Sequence, residues 1–524
     1  MAAAAATAAA ATAVKQDYEA LCKKLKEVSA LSGISGLLGW DEMVFLPSNA
    51  VNSRAAQKSA LAGVLHEKQT EAEIGQLLQR LQAANLAAEG LNEYEQATVR
   101  EAARDYRKLT AVPKELAQRE AELESRGYQA WVKARQDSDF SQFAPVLQEW
   151  VDLRREKARL VDPSRPVYDV LLDDYEKGVT AARLDEVFGQ VKAGLVPLLA
   201  DLRARGKAPS GVEIGRLCHK IAVALGFSLD SGRLDVSVHP FTGGAHPTDV
   251  RMTTRFKQDD LTEGITGAIH ETGHALYEQG RNLEYDGLPV NQALGMGVHE
   301  SQSLLWERMV GLSRPFAAYL LPLMREHFPQ LPTEQSPEDL YAALNIIKDP
   351  SMIRVESDEV TYPMHIILRY ELEKALVEGS IEVADLPRLW NEKMKEYLGC
   401  EPESDARGVL QDVHWSAGLF GYFPTYSLGA MYATQIFKAS WARLLMGDAV
   451  GYKTAAEKEL PGLADDIAAG KFERLKGWLN EKIHKVGSLP ASGDELMTSV
   501  TGAPLQPQVF LDYLRDKYSQ LYQL

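Results

Sequence analysis

The sequence has little cysteine, no long apolar run and no excess of positive charge. Its three cysteines, Cys22, Cys218 and Cys400, are far apart and form no C-x-x-C pair. That pattern favours free thiols in a reducing, cytoplasmic compartment over a disulfide framework. No stretch of 18 strongly apolar residues occurs, so no membrane-spanning helix is expected. The net charge of −16 argues against nucleic acid as a partner, because phosphate binding requires clustered Lys and Arg.

The rest of the composition is that of a globular protein. Of the 524 residues, 45% are hydrophobic and 25% are charged, which is enough for a substantial core. Residues 1–13 are nearly all Ala and Thr and lack the features of a secretory signal or a typical transit peptide. We expect a disordered tail there, with removal as an organelle-targeting segment as the alternative. No Pro-rich or Ser-rich linker divides residues 14–524, which are therefore predicted to form a single domain.

Apolar residues recur at spacings of three and four through most of the chain, which predicts a mostly α-helical fold. The first predicted helices are Asp17 to Ser29, Asn52 to Leu65, Thr70 to Ala84, Asn92 to Leu109, Pro113 to Gln136, Ser141 to Leu160 and Ala181 to Arg205. An extended link is expected at 167–177. Later helices are predicted at 315–327, 337–347, 362–378 and 385–398, and an extended segment at 353–358.

One short region has the alternating pattern of β-strands instead. Residues 234–241 and 249–255 alternate apolar and polar side chains, and Gly243-Gly244 lies between them. This pattern predicts a small β-hairpin with its turn at the two glycines. The hairpin directly precedes the helix that carries the main motif, where a sheet edge could pair with an extended peptide.

That helix is predicted at 261–279 and contains the motif H-E-T-G-H at 270–274. Asp260 and Glu263 form a capping pattern at its start, and Gly280 suits its end. His270 and His274 are four residues apart and therefore lie on one helix face, so both imidazoles can bind one metal ion. Glu271 lies next to that face and is placed to act as a general base on a metal-held water.

A catalytic zinc site needs a third protein ligand and one open position. Glu300, at the start of a second predicted helix, is the best candidate, and His299 beside it is the alternative. The alternative to a metal site is that these histidines are exposed to solvent or hydrogen-bonded within the core. A capped helix followed by a helix-borne Glu favours the metal site, and a site of this kind could also hold cobalt.

Two further requirements of peptide hydrolysis can be assigned only to candidates. His414, Tyr422 and Tyr426 could donate to the developing oxyanion, although tyrosines at such positions are as often packing residues. Arg354 and Arg251 could bind a terminal carboxylate, although an Arg in such a context is more often a surface ion pair. From these residues alone the sequence predicts a metallopeptidase and leaves its subclass open.

Several separated motifs together resemble the Taq-type thermostable metallocarboxypeptidase family. They are H-P-F at 239–241, D-x-R-x-T at 249–253, the H-E-x-x-H motif, H-E-S-Q at 299–302, I-R-V-E-S-D at 353–358 and G-x-x-Q-D-x-H-W at 408–415. The family has Ala where Ser357 stands, a small-for-small change. Trp40-Asp41, which otherwise suggests a packed corner, and residues 510–518 also look like the family. The resemblance covers nearly all of 14–524.

The resemblance implies a helical, two-sided molecule with a deep groove, a zinc ion at its floor and one ion per subunit of a homodimer. It implies removal of single C-terminal residues from peptides with broad preference. Carried over by position, His270, His274 and Glu300 are metal ligands, Glu271 is the base and Arg354 contacts the substrate carboxylate. His239 and residues 421–426 would line the pocket.

Two other functions remain as alternatives. A zinc oligopeptidase that cuts internally could use the same chemistry, and cleavage of amidated peptides would distinguish it. A non-catalytic helical interaction protein with a relic metal site would lack a ligand or the base. Here His270, Glu271, His274 and Glu300 are all present, which disfavours that alternative.

Overall fold

The computed structural model describes residues 2–204, 216–237, 240–254, 261–328, 333–440, 460 and 462–524. The chain divides into two compact units, each assembled from three separated stretches. The first unit comprises Met1–Ala111, Gly211–Leu294 and Gly470–Ala491, and the second comprises Val112–Ser210, Gly295–Ala469 and Ser492–Leu524. Neither unit is continuous in sequence, and the single domain expected over 14–524 stays a prediction.

The first unit combines helices with the one small sheet found in the described residues. Its helices are α1 (Ala2–Val44), α2 (Val51–Gln69), α3 (Ala72–Ala83), α4 (Glu93–Ala111), α9 (Arg216–Ala224), α10 (Leu261–Gln279) and α18 (Glu473–Leu479), and its strands are β1 (Gly232–Val236), β2 (Thr242–His246) and β3 (Asp249–Thr254). Ile74, Leu77, Leu78 and Leu81 form the buried stripe of α3 and pack with Leu21 of α1. Their helical spacing is the reason that a single face of α3 enters the core.

Helix α1 is longer than the sequence pattern indicated. It begins at Ala2, inside the segment for which we expected disorder or removal. Alanine has the highest helix propensity, so a helix continues into an alanine run at little cost. The expected corner at Trp40 lies inside the last turns of α1, and Trp40 is buried.

The predicted hairpin is wrong in its pairing. The strand order is β1-β3-β2: β1 pairs with β3 in parallel, and β2 pairs with β3 antiparallel. Gly243 and Gly244, expected in the turn, lie within β2. Gly244 packs closely on β3, since a Cβ there would lie 2.2 Å from the Asp249 carbonyl oxygen. Helix α1 also approaches β2 closely, since a Cβ on Gly36 would lie 2.5 Å from the Gly244 carbonyl oxygen.

The second unit is built from helices and contains no strand among its described residues. Its helices are α5 (Lys114–Asp137), α6 (Ala144–Val161), α7 (Val167–Leu172), α8 (Ala181–Arg203), α11 (Met296–Leu304), α12 (Arg314–His327), α13 (Pro337–Leu344), α14 (Tyr362–Glu378), α15 (Leu386–Leu398), α16 (Pro424–Ser440), α17 (Leu463–Ala468), α19 (Gly493–Thr501) and α20 (Pro507–Tyr522). Helix α14 is buried on nearly all sides. The mostly helical fold is thereby confirmed, and none of the described helices is apolar over a length that would cross a membrane.

The prediction of extended structure is wrong for two segments. Residues 167–177 begin with the short helix α7, whose residues Tyr168 to Leu172 are buried. Residues 354–356 form a single 3₁₀ turn in which Arg354 is buried. Both segments are short and rich in charged or β-branched residues, so local propensity favoured extension. In the first segment the apolar side chains of α7 are buried, whereas in the second Arg354 is buried and Val355 is 69% exposed.

Candidate active site

His270 and His274 lie on α10, one helical turn apart. Their ring centroids are 4.9 Å apart and the rings are nearly perpendicular. Both side chains are partly exposed, whereas Ile265, Ala268 and Ile269 on the same helix are buried. The apolar face fixes the rotation of α10, and this leaves the two imidazoles on a face that can bind a ligand.

Glu300 lies on α11 and is buried. Its backbone carbonyl accepts a hydrogen bond from Ser303 Oγ at 2.6 Å, and Gly429 of α16 lies directly against its side chain. Within the described residues, His270, His274 and Glu300 form the group whose donor atoms could hold a metal ion, and these atoms all lie within 4.8 Å of one another. His299, the alternative third ligand, is not a member of that group. Two imidazoles and one carboxylate are a donor set that suits Zn²⁺.

Glu271 is adjacent to His270 and is 6% exposed. Its carboxylate Oε2 lies 2.6 Å from Thr242 Oγ1 at the start of β2. A separation this short is typical of a hydroxyl that donates to an ionised carboxylate. The side chain expected to act as the base is therefore held by a neutral donor.

Arg354 is buried beside Asp412, and its Nε donates to Asp412 Oδ1 at 2.8 Å. Arg369 donates from Nε to the other oxygen of Asp412 at 2.6 Å. Burial alone would raise the pKa of Asp412, but the two guanidinium groups hold it well below its usual range. The cluster therefore contains two cations and one anion.

The tyrosines beside Arg354 complete its surroundings. Arg354 Nη1 donates to Tyr362 Oη at 3.0 Å, and its guanidinium lies 5.0 Å from the centre of the Tyr426 ring. Despite burial, Asp412 keeps the pKa of Arg354 well above its ordinary value. Arg354 therefore stays charged in a pocket of aromatic rings.

His414, Tyr422 and Tyr426 lie together in the second unit. His414 Nε2 is 3.0 Å from Tyr426 Oη, and the rings of Tyr422 and Tyr426 are 5.4 Å apart. Burial, followed by the charge of Arg354, lowers the pKa of His414 to about 3. Burial raises the pKa of Tyr422 to about 12 and that of Tyr426 well above its ordinary value. Both phenols therefore keep their protons near neutral pH and can donate hydrogen bonds.

Arg251, another predicted site residue, is not part of these groups. Arg251 lies on β3, donates to Asp249 Oδ1 at 2.8 Å and stacks on the Trp40 ring at 5.0 Å. Arg233 lies 5.2 Å from the same ring. His239 lies outside the described residues. Arg251 thus belongs to the packing between β3 and α1.

Four residues beside these groups were not predicted as site residues: Asp412, Arg369, Tyr362 and Thr242. Asp412 stands inside the G-x-x-Q-D-x-H-W motif, and Thr242 directly follows H-P-F, so both motifs contained a signal. Arg369 and Tyr362 lie on α14 without any motif, and only the fold brings them to Arg354.

A mostly helical chain with an H-E-x-x-H helix defines the class of helical metallopeptidases. The family model described as "Carboxypeptidase Taq (M32) metallopeptidase" matches residues 20–518. The chain therefore belongs to that family, which confirms the resemblance. It is a metallocarboxypeptidase, a hydrolase that acts on peptide bonds and uses a metal ion.

Curated relatives and solved structures agree with this assignment. The chain is 38% identical to thermostable carboxypeptidase 1 of Thermus thermophilus, over 96% of this chain and 99% of the relative. It is 36% identical to carboxypeptidase 1 of Bacillus subtilis, over 95% and 97% of the two chains. The crystal structure of the M32 carboxypeptidase from Deinococcus radiodurans matches with a TM-score of 0.90 at 34% identity, covering 97% of this chain and all of that one.

Proposed function

We propose that this metallocarboxypeptidase removes single C-terminal residues from peptides, with broad preference, at a zinc ion held by His270, His274 and Glu300. The observation that carries the proposal is the convergence of these three donor side chains. A zinc ion bound there would polarise the scissile carbonyl and lower the pKa of a water molecule toward neutrality. Cobalt would fit the same donors.

Glu271 is assigned the role of general base. It takes a proton from the attacking water and returns it to the leaving amine. Its position next to a metal-ligating histidine, on the same helix, supports this role because the two side chains cannot occupy one ligand vertex. Thr242 holds the carboxylate in a fixed orientation.

Arg354 is assigned the binding of the substrate's terminal carboxylate. Among the described residues, the two guanidinium groups around Asp412 carry one positive charge more than that carboxylate balances, and burial lowers the pKa of both His365 and His414. A carboxylate is the natural partner for such a charge. Arg251 is the weaker candidate, because Asp249 already balances its charge.

Tyr422 and Tyr426 are assigned to the oxyanion and to the lining of the substrate pocket, with His414 orienting Tyr426. The support is their raised pKa values, which keep both phenols protonated as donors. His239 is assigned to the same pocket on the resemblance alone. A homodimer and a cytoplasmic location stay predictions, and light scattering of the purified protein would test the dimer.

Replacement of Glu271 tests the mechanism. Glu271→Gln should lower kcat by about 10³-fold or more, because positioned acid and base catalysis contributes about 10² to 10⁴, and it should keep its metal content. Peptide release and metal analysis measure the two effects. Glu278→Gln, on the same helix, is the control and should keep the wild-type rate. Wild-type turnover in Glu271→Gln would show that this mechanism is wrong.

Replacement of Arg354 tests which end of the peptide the enzyme recognises. Arg354→Lys keeps the charge but loses the planar fork, so it should raise KM about tenfold or more for free-carboxylate peptides. Its effect on the slow cleavage of amidated peptides should be small. An equal change with both substrates would contradict the carboxylate role, and rapid internal cleavage of amidated peptides would favour an oligopeptidase.

A further inference from the structure

The metal group contains none of the described residues of two motifs of the sequence, H-P-F at 239–241 and D-x-R-x-T at 249–253. Phe241 directly precedes β2, and the second motif lies in β3. Thr242, the residue after H-P-F, places its Oγ1 2.6 Å from Glu271 Oε2 and 3.1 Å from the Glu271 backbone oxygen. One hydroxyl therefore contacts the side chain and the backbone of the same residue. This double contact fixes the carboxylate relative to its own helix.

The last residue of D-x-R-x-T holds the chain just before Thr242. Phe241 N donates to Thr253 Oγ1 at 3.1 Å, and Thr253 N donates to the Phe241 oxygen at 2.9 Å. Thr253 Oγ1 also lies 2.6 Å from Ser237 Oγ. Thr253 is fully buried. The backbone N–H and carbonyl of Phe241 are therefore both hydrogen-bonded to one buried residue of β3.

We propose that Thr242 is the positioning residue of the base Glu271, and that Thr253 acts on Glu271 through Phe241 and Thr242. The relay runs from the D-x-R-x-T motif to the H-P-F motif and then to the carboxylate. On this proposal the role of both motifs is in catalysis rather than in the structure of the sheet. The inference rests on the proposed role of Glu271.

The hydroxyl of Thr242 differs in its contacts from those of two other threonines of this region, Thr272 and Thr254. Thr272 donates to the Ala268 carbonyl of its own helix at 2.6 Å, an ordinary helical back-bond. Thr254 is buried on β3, and its Oγ1 has no hydrogen-bond partner among the described residues. Thr254 is therefore a matched control, because replacing its hydroxyl by a methyl group removes no hydrogen bond to that part of the chain.

The first experiment compares Thr242→Val, Thr242→Ser and Thr254→Val in the full-length enzyme with metal bound. Thr242→Val keeps the side-chain shape and loses the hydroxyl, so kcat should fall about 10- to 100-fold, as expected when a reacting group loses its orientation. KM should stay within about twofold and metal content should be unchanged. Thr242→Ser should restore most of kcat, and Thr254→Val should match the wild type. An unchanged kcat in Thr242→Val, or an equal loss in Thr242→Ser, would overturn the proposal.

The second experiment asks whether the residues act in series. Thr253→Val should lower kcat less than Thr242→Val, and the double variant should be no slower than Thr242→Val alone. Adding Thr242→Val to Glu271→Gln should likewise cost nothing further. If the losses of kcat in the single variants are independent and multiply in the double variants, the relay is overturned. If Thr253→Val does not fold, Thr253→Ala takes its place in this comparison. The Glu271→Gln and Thr242→Val pair tests separately whether Thr242 acts through Glu271.

The outcomes separate this inference from the proposed function. If Glu271→Gln is inactive while Thr242→Val is as fast as the wild type, only the positioning role fails. If Glu271→Gln retains the wild-type rate, the role of Glu271 itself fails.

Discussion

Helix α10, which carries the H-E-x-x-H motif, and the arginine cluster around Asp412 differ in the partners of their charged side chains. On α10, Glu271 has a neutral threonine hydroxyl as a short hydrogen-bond partner. Around Asp412, two buried guanidinium groups share one carboxylate. In the proposed mechanism Glu271 changes its protonation during the reaction, and a neutral donor permits this. Arg354, proposed to bind the substrate carboxylate, must keep its charge, and the buried Asp412 ensures it.

The largest expected effect is a loss of the protein's folding stability when the arginine cluster loses its anion. Asp412→Asn leaves Arg354 and Arg369 buried without an anion and should destabilise the protein by about 3–5 kcal/mol. The control is Asp152→Asn, which breaks an exposed pair with Arg155 and should cost at most about 1 kcal/mol. Urea unfolding measures both. Equal losses would remove the distinction between the cluster and a surface ion pair.

The next effect concerns a buried acid, Glu373, that forms no ion pair with any described residue. Glu373 on α14 accepts from Tyr168 Oη, Trp415 Nε1 and Gly421 N at 2.8, 2.7 and 2.6 Å, yet burial raises its pKa from 4.5 to about 7. The folded state therefore binds a proton more tightly than the unfolded state. The stability associated with that proton is complete below pH 4.5 and is lost as pH rises through about 7.

Glu373→Gln removes this titration. Between pH 5 and pH 8 the wild type should lose stability relative to the variant by up to on the order of 3 kcal/mol, at about 1.4 kcal/mol per pKa unit. Urea midpoints at the two pH values test this. Glu371→Gln on the same helix is the control, because Lys393 and other donors lower the pKa of Glu371 despite burial. A pH-independent difference between the wild type and Glu373→Gln would contradict the expectation.

The smallest effect concerns the proposed third metal ligand. A Cβ on Gly429 would lie 2.6 Å from Glu300 Cγ, so Gly429→Ala must displace the Glu300 side chain. Metal affinity should fall about tenfold, as for other changes beside a ligand. Gly189→Ala is the control: nothing lies within 4 Å of its new Cβ, and it should gain about 0.5–1 kcal/mol of stability with unchanged affinity. A competition titration with a chelator measures the affinity, and wild-type affinity in Gly429→Ala would argue against Glu300 as a ligand.

Helices with strong apolar periodicity and clear capping signals were predicted accurately. Helices α10 and α14 occupy the predicted residues 261–279 and 362–378, because caps and apolar spacing are local properties. The sheet pairing could not be predicted, since residues 234–241 and 249–255 alternate in the same way whether they pair in parallel or antiparallel. The position of β2 depends on the glycines of α1, about 200 residues earlier in the sequence.

The sequence by itself determined the helical class, the family and the pair of histidines with an adjacent Glu, because those depend on composition and on spacing within one helix. The tertiary structure decided the partners of the charged side chains. Asp412 between Arg354 and Arg369, and Thr242 against Glu271, join segments that are 29 to 58 residues apart. No local pattern specifies such a pairing, because it arises only when the core places the two segments side by side.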